Sequence, residues 1–201
     1  ETHTISTGPR GYTGAHGLEP DLFVVGKPVA GGVPASVWGF TDEVAQRLDA
    51  VRSQTPPGHS GMGTTLSANA LSLAAMRATL SEVLTAAAFK EMIALGDRWS
   101  DGVDAAIAEF DLDWHCNRLG ARGEYIFKGK QPATGKEAAD SGDFELEQYI
   151  HLRLLNDGYL ITPFHNMALF SPATPSSAAD QHSEALDAAV ATLIEGGALV
   201  V

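Results

Sequence analysis

The residue best suited to covalent chemistry is Lys27, which follows the short apolar run Leu22–Val25 almost directly. A continuous apolar run of this length is typical of a strand buried on both faces. A lysine at the end of such a strand has poor access to water, so its ammonium must pair, lose its proton or react. Once deprotonated, it can form a Schiff base with an aldehyde cofactor. The alternative is a lysine whose long stem carries the charge to the surface.

A second segment, residues 61–70, combines small residues with hydroxyls and leads into a predicted helix. Backbone N–H groups at a helix start, together with the hydroxyls of Thr64 and Thr65, form a site suited to phosphate. The alternative is a plain helix cap by Thr64, Thr65 or Ser67. Between the two segments, Gly31 and Gly32 allow the backbone to approach a bound group closely.

Two other nucleophile or phosphate motifs do not match the sequence. A nucleotide-hydrolase phosphate loop ending at Lys27 needs glycine at position 21 and serine or threonine at position 28, which are Asp21 and Pro28. The segment 58–62 misses the hydrolase elbow because Met62 stands where glycine is required. The sequence therefore supports neither a nucleotide-hydrolase phosphate loop at Lys27 nor a hydrolase elbow at residues 58–62.

Composition narrows the partners and the compartment. The net charge is −12, from 13 basic and 25 acidic residues, so we expect neither nucleic acid nor an anionic membrane as partner. No apolar run reaches the about 18–20 residues of a membrane span. The single cysteine, Cys116, excludes an internal disulfide and suits the cytoplasm. The seven histidines lack metal-binding spacing, so we expect no metal site and place His16, His59 and His182 at exposed positions.

Hydrophobic periodicity predicts two parts, a parallel-sheet α/β region over residues 1–85 and a smaller α+β region over 86–201. The predicted strands are Leu22–Val25, Ala35–Phe40, Trp114–Arg118, Glu124–Phe127, Tyr159–Thr162 and Ala168–Ser171. The predicted helices are Asp42–Val51, a largely buried Leu66–Leu80, Ala86–Phe110, Phe144–Asn156 and Ser177–Glu195. Residues 129–142 are predicted to form a polar loop. Because Glu1 is not a start methionine, we expect a fragment or a chain whose beginning is missing.

The lysine segment and the hydroxyl segment together resemble the class III PLP-dependent aminotransferases, in the branch of glutamate-1-semialdehyde aminomutase. The family's lysine pattern is met by residues 20–34, from Pro20-Asp21 through Lys27 to Pro34, and its second motif by residues 64–69, with Thr64 in place of glycine. The likeness covers essentially the whole chain, as the C-terminal half of such an enzyme. It implies an α/β fold, PLP-dependent transferase fold type I, with part of the large parallel or mixed-sheet domain and a small α+β C-terminal domain.

The resemblance also implies roles for individual residues. Lys27 would carry pyridoxal 5'-phosphate as a Schiff base and move the proton between substrate Cα and the cofactor. Thr65, with Thr64 beside it, would bind the cofactor phosphate across the interface of a homodimer. Thr2 would pack against the cofactor ring, and the family's aspartate for the pyridine nitrogen would lie immediately before Glu1. Activity would require the missing N-terminal half.

The substrate region departs from the aminomutase branch. That branch has a glutamate after Pro-Phe, whereas this chain has His165 and Asn166 after Pro163-Phe164. A histidine does not supply the same permanent negative charge, so these two residues are candidate substrate contacts, or they cap a loop. We therefore expect amino-group transfer between an amine or amino acid and an oxo acid. The alternatives are an aminomutase of the glutamate-1-semialdehyde type and a truncated, non-catalytic relative.

Overall fold

The computed structural model describes residues 1–59, 61–63, 65–162 and 165–199, which divide into two compact units, Glu1–Ala88 and Phe89–Val201. The strands in these ranges are β1 (Leu22–Val25), β2 (Val37–Phe40), β3 (His115–Arg118), β4 (Arg122–Ile126) and β5 (Met167–Leu169). The α-helices are α1 (Gly11–Ala15), α2 (Asp42–Arg52), α3 (Ala70–Ala78), α4 (Ala86–Glu109), α5 (Gly135–Ala139), α6 (Phe144–Asn156) and α7 (Ala178–Glu195). Short 3₁₀ turns occupy Thr4–Thr7 and Lys27–Ala30, and a π-helical turn occupies Thr79–Val83.

In the first unit, β1 and β2 form an antiparallel ribbon in which Leu22 lies opposite Phe40. The predicted strands are confirmed, but the predicted parallel pairing is wrong for these two. The prediction that β1 is buried on both faces is also wrong, because Leu22 and Val24 are 61% and 53% exposed. Only the end of β1 is enclosed, where Val25 joins Val29 and Ala30 in a small core. A two-stranded ribbon does not cover its own faces, which explains the difference.

The helices of the first unit differ in how well the sequence predicted them. Thr41 caps α2 as predicted, with its hydroxyl accepting from the Val44 amide. The helix predicted from Leu66 begins only at Ala70, because the Asn69 side chain accepts from the Ser72 amide at 2.9 Å and caps α3 there. The predicted burial of this helix is wrong, since every residue of α3 is at least partly exposed.

The second unit is built around the antiparallel sheet β3-β4-β5. Side chains from this sheet and from α4, α6 and α7 form one core that includes Trp99, Tyr125, Ile150, Leu154 and Leu186. The predictions for β3, β4, α4, α6 and α7 are confirmed to within a few residues. Two are wrong: α5 lies inside the predicted polar loop, and residues 159–162 run as irregular chain rather than a strand.

The described residues offer neither a membrane span nor a metal site. None of the helices in this part of the chain is long and apolar enough to cross a bilayer. Among the same residues, no group of three histidine, cysteine or acidic side chains is placed to hold a metal ion.

Candidate active site

Lys27 opens a 3₁₀ turn at the end of β1 with an unusual backbone conformation. Its φ is +28°, in the region that side-chain-bearing residues rarely adopt. Such a conformation costs on the order of 1–3 kcal/mol and persists only where packing enforces it. Here Val29 and Ala30, 1% and 2% exposed, anchor the turn in the core of the first unit. The sequence folds so that the position of Lys27 is fixed at the expense of local strain.

The Lys27 amine is paired with an imidazole. Its Nζ lies 2.6 Å from Nε2 of His3, and both side chains are exposed. The prediction that Lys27 has little access to water is therefore wrong within this chain, because the end of β1 lies at the surface of the ribbon. Among the ion pairs of the described residues, none involves Lys27. No carboxylate in that part of the chain therefore competes for the amine.

The segment that carries His3 is held by the carboxylate of Glu1. This carboxylate accepts hydrogen bonds from the Thr4 hydroxyl at 2.6 Å and from the amides of Tyr12 and Thr13 at 3.0 and 2.6 Å. Burial raises the pKa of Glu1, but the hydrogen bonds from Thr13, Thr4 and Tyr12 outweigh it and lower the pKa to about 2. A Cβ at Gly11, where φ is +62°, would lie 2.6 Å from the carboxylate carbon. Glycine at position 11 therefore makes room for the anion.

Thr2 lies next to the lysine segment. A Cβ built on Gly26 would sit 3.4 Å from the Thr2 hydroxyl oxygen, and the backbone nitrogen of Glu1 donates to the Val24 carbonyl at 2.7 Å. The structure thus brings together Thr2 and Lys27, two of the residues that the sequence singled out. Packing of Thr2 against a cofactor ring stays a prediction.

The hydroxyl segment leads into α3 in the first unit. Thr64 lies outside the described residues, and Thr65 occupies an exposed turn ahead of α3. Because Asn69 caps α3, the alternative of a cap by Thr65 or Ser67 is wrong. Phosphate binding by Thr65 stays a prediction, and so does that of Thr64.

The candidate substrate residues lie in the second unit. His165 Nδ1 is 3.2 Å from Glu124 Oε1, with the His165 side chain 58% exposed. Asn166 is buried, and its amide donates to the Tyr125 carbonyl at 3.5 Å. The two residues therefore differ in kind: Asn166 braces its segment against β4, while His165 offers its ring to an acidic neighbour. Pro163 and Phe164 lie outside the described residues.

A cavity of about 370 Å³ lies beside these two residues. Its polar lining residues are Asn117, Glu124, Ser141, Glu147, His165 and Asn166. Burial raises the pKa of Glu147 above its ordinary value, although the nearby His165 offsets part of that effect. The cavity therefore combines apolar walls with hydrogen-bonding groups, among them the carboxylates of Glu124 and Glu147.

Two residues close to the Lys27 segment, His3 and Glu1, were not identified from the sequence. His3 lacks any motif around it, and only its position beside the end of β1 shows its contact with Lys27. The role of Glu1 was equally hidden, although Gly11 gave a local signal, because a glycine with positive φ marks a close approach.

The chain matches a known protein family over nearly its whole length. The family model of class-III aminotransferases matches residues 5–190, which include Lys27 and nearly the whole chain. The chain belongs to the class-III aminotransferases. These are PLP-dependent enzymes of fold type I, and the fold class expected from the sequence is confirmed.

Several proteins similar to this chain are named as aminomutases or aminotransferases. The chain is 29% identical over 157 residues to a glutamate-1-semialdehyde 2,1-aminomutase of Geobacillus kaustophilus, covering 78% of this chain and 35% of that protein. The crystal structure of a glutamate-1-semialdehyde aminomutase from Pseudomonas aeruginosa matches with a TM-score of 0.91 at 49% identity, over 96% of this chain and 44% of that one. A β-phenylalanine aminotransferase from Variovorax paradoxus matches with a TM-score of 0.73 at 25% identity, over 98% of this chain and 44% of that one. The chain thus spans less than half the length of these relatives.

The cofactor of this class is pyridoxal phosphate, and a lysine variant of the Pseudomonas enzyme was solved in complex with PMP. The residues present here fit that cofactor. The Lys27 amine forms no ion pair with a carboxylate of the described residues, and it lies on a turn with a strained backbone. The next two glycines, Gly31 and Gly32, have φ of +59° and +98°. Because they carry no side chains, a bound group can approach their backbone closely.

Proposed function

We propose that the full-length protein transfers an amino group between an amine or amino acid and an oxo acid, with Lys27 as the residue that binds pyridoxal phosphate covalently. The observation that carries this proposal is the strained turn, anchored in the core, on which Lys27 lies. This turn falls within the segment that matches the class-III family. A lysine that only exposes its charge to solvent needs no such strained backbone conformation.

Each residue of the site has a distinct part in this reaction. When bound, pyridoxal phosphate supplies an aldehyde that condenses with amines and a ring that accepts the charge left at Cα after proton loss. Lys27 holds the cofactor between turnovers and, once released, accepts and returns the substrate proton through Nζ. Thr2, against Gly26, limits the space beside the lysine, and Glu1 keeps this segment in place through its hydrogen bonds to Thr4 and Thr13.

The proposal extends to assembly and compartment. Thr65, with Thr64, binds the cofactor phosphate from a second copy of the chain in a homodimer, in which the exposed turn before α3 meets the other copy's site. Residues 1–85 belong to the large cofactor-binding domain and residues 86–201 to the small C-terminal domain. The protein works in the cytoplasm, which suits its single, buried Cys116.

An aminomutase of the glutamate-1-semialdehyde type is a second candidate, because the relatives named above carry that activity in their names. The structure adds one observation in its favour. Although position 165 is histidine, the carboxylate of Glu124 lies 3.2 Å from its ring and places a negative charge beside it. His165 and Asn166 contact the substrate in either case.

The two reactions differ in whether a free oxo product leaves. The full-length protein is incubated with a panel of amine donors and pyruvate, and alanine is measured by mass spectrometry. We expect alanine from at least one donor, loss of that signal in Lys27→Ala, and no loss in Lys90→Ala, which removes an exposed lysine of the second unit. Conversion of glutamate-1-semialdehyde with no alanine from any donor would assign the protein to the aminomutases instead.

A further inference from the structure

We propose that His3 is a positioning residue for Lys27. Its imidazole accepts a hydrogen bond from the Lys27 amine and holds that amine at the end of β1 whenever it is not bound to the cofactor. This inference rests on the proposed role of Lys27. Its basis is the 2.6 Å contact between Lys27 Nζ and His3 Nε2, which joins residues 24 positions apart in the sequence.

The chain places His3 on a fixed support. Two residues earlier, the Glu1 carboxylate is tied to Thr4, Tyr12 and Thr13, and the Glu1 backbone nitrogen donates to the Val24 carbonyl of β1. Two residues later, Ile5 packs against the small core of the first unit. His3 therefore lies between two anchored points, and its ring is directed at the end of β1 without being buried itself.

Lys27 is restrained from the other side. Its backbone is held at a positive φ by the turn that Val29 and Ala30 anchor. A lysine side chain has four rotatable bonds, so a fixed backbone alone leaves the amine free to explore many positions. A second contact at Nζ removes most of that freedom. His3 supplies this contact, and it does so with an acceptor that carries no negative charge.

The proposed role also specifies one form of the imidazole. For Nε2 to accept from the Lys27 amine, the proton of a neutral His3 has to lie on Nδ1. Holding a reacting group close to its target accelerates bond formation, because the entropy of orientation is lost beforehand. Attachment of Lys27 is such a step: Nζ bonds to the aldehyde carbon, and the aldehyde oxygen leaves as water.

The first test measures attachment rather than turnover. Cofactor-free full-length protein is mixed with pyridoxal phosphate, and the growth of visible absorbance is followed by stopped flow. We expect His3→Phe to slow attachment about tenfold, by analogy with the effect of lost orientation on reacting groups. His3→Gln keeps an acceptor within reach and should restore most of the rate. His59→Phe, which removes another exposed histidine of the first unit, should match the wild type.

A non-reacting analogue separates positioning from general damage to the site. Pyridoxine 5'-phosphate has an alcohol where the cofactor has its aldehyde, so its affinity should be the same in the wild type and His3→Phe. Equal attachment rates in all four proteins, or equal slowing in His3→Phe and His3→Gln, would refute the role of His3. Weaker binding of the analogue by His3→Phe would point to a structural effect and refute it as well.

A second readout needs no cofactor. Nitrogen NMR of the cofactor-free protein distinguishes the two neutral forms of an imidazole. We expect His3 with its proton on Nδ1 in the wild type and a shift toward the Nε2–H form in Lys27→Ala. The same form in both proteins would contradict the hydrogen bond. Borohydride trapping of pyridoxal phosphate on Lys27 tests the underlying function separately, so a failure of His3 and a failure of Lys27 are distinguishable.

Discussion

His182 shows how one residue can make stability depend on pH. It is 4% exposed in the second unit, against Trp99 at 5.3 Å and Tyr159 at 6.0 Å between ring centroids. Within the described residues, neither ring nitrogen has a hydrogen-bond partner. The exposed position predicted for His182 is wrong, because a histidine on an amphipathic helix is expected on its polar face. Burial lowers the pKa of His182 to about 4.

The consequence is a loss of stability in mild acid. The unfolded chain binds a proton on this histidine below about pH 6.5, while the folded chain resists it until about pH 4. The contribution is therefore intact above pH 6.5 and is lost as the pH falls to 4, by on the order of 3 kcal/mol. Urea unfolding of the full-length protein, followed by tryptophan fluorescence between pH 8 and 4, measures this slope. His182→Phe should flatten it, whereas His59→Gln should leave it in place; an unchanged slope in His182→Phe would contradict the assignment.

Among the elements, β4 depends on a glycine where it crosses the core. A Cβ at Gly123 would lie 2.6 Å from the Trp99 ring and 2.7 Å from the Ser100 hydroxyl, and both neighbours are almost fully buried. We expect Gly123→Ala to lower the free energy of unfolding by about 1–3 kcal/mol through overpacking. Gly135→Ala is the matched control, because nothing lies within 4 Å of its Cβ and it sits in α5. Denaturation midpoints of the two variants should separate clearly, and equal midpoints would refute the packing argument.

The start of α6 offers a second contrast between elements. Asp143 caps this helix by accepting from the Leu146 amide at 3.1 Å, whereas Ser177, at the start of α7, makes no side-chain cap hydrogen bond to the described residues. Asp143→Ala should therefore cost about 1 kcal/mol, and Ser177→Ala should cost close to nothing. Thermal unfolding of both variants measures the difference. A larger loss in Ser177→Ala would show that the cap hydrogen bonds do not control these helices.

The elements also show which features the sequence could predict. Helices such as α4 and α6 carry a full apolar period, and their bounds were predicted to within a residue. The start of α3 was not, because the predicted caps, Thr64, Thr65 and Ser67, are residue types that suit an N-cap as well as Asn69 does, and only the Asn69 contact shows where the helix begins. The prediction that β1 is buried failed for another reason. An apolar run indicates that a strand needs to be covered, but it does not identify the part of the chain that covers it.

The candidate site was predictable where it depends on local sequence and not where it depends on contacts across the fold. Lys27 stands out from its neighbours alone. His3 does not, because its meaning comes from a partner 24 residues away. His165 and Asn166 were predicted as a pair of substrate contacts, but the structure gives them different neighbours. The His165 ring pairs with Glu124, whereas the buried Asn166 amide donates to the Tyr125 carbonyl.

At the scale of the whole molecule, the two units are built differently. The second unit has one extensive core, whereas the first has a small core around Val25, Val29 and Ala30 and many exposed apolar side chains. The chain spans about 44% of the length of its structural relatives. Lys27, at the end of β1, therefore belongs to the unit whose apolar side chains are largely exposed within this chain.

The most direct measurement of the central claim is chemical trapping at Lys27. The full-length protein is loaded with pyridoxal phosphate, reduced with borohydride, digested and mapped by mass spectrometry, with Lys27→Ala and Lys90→Ala as matched variants. We expect a phosphopyridoxyl group on Lys27 in the wild type and in Lys90→Ala, and its complete loss in Lys27→Ala. Cofactor bound but trapped on a different lysine, or on none, would contradict it.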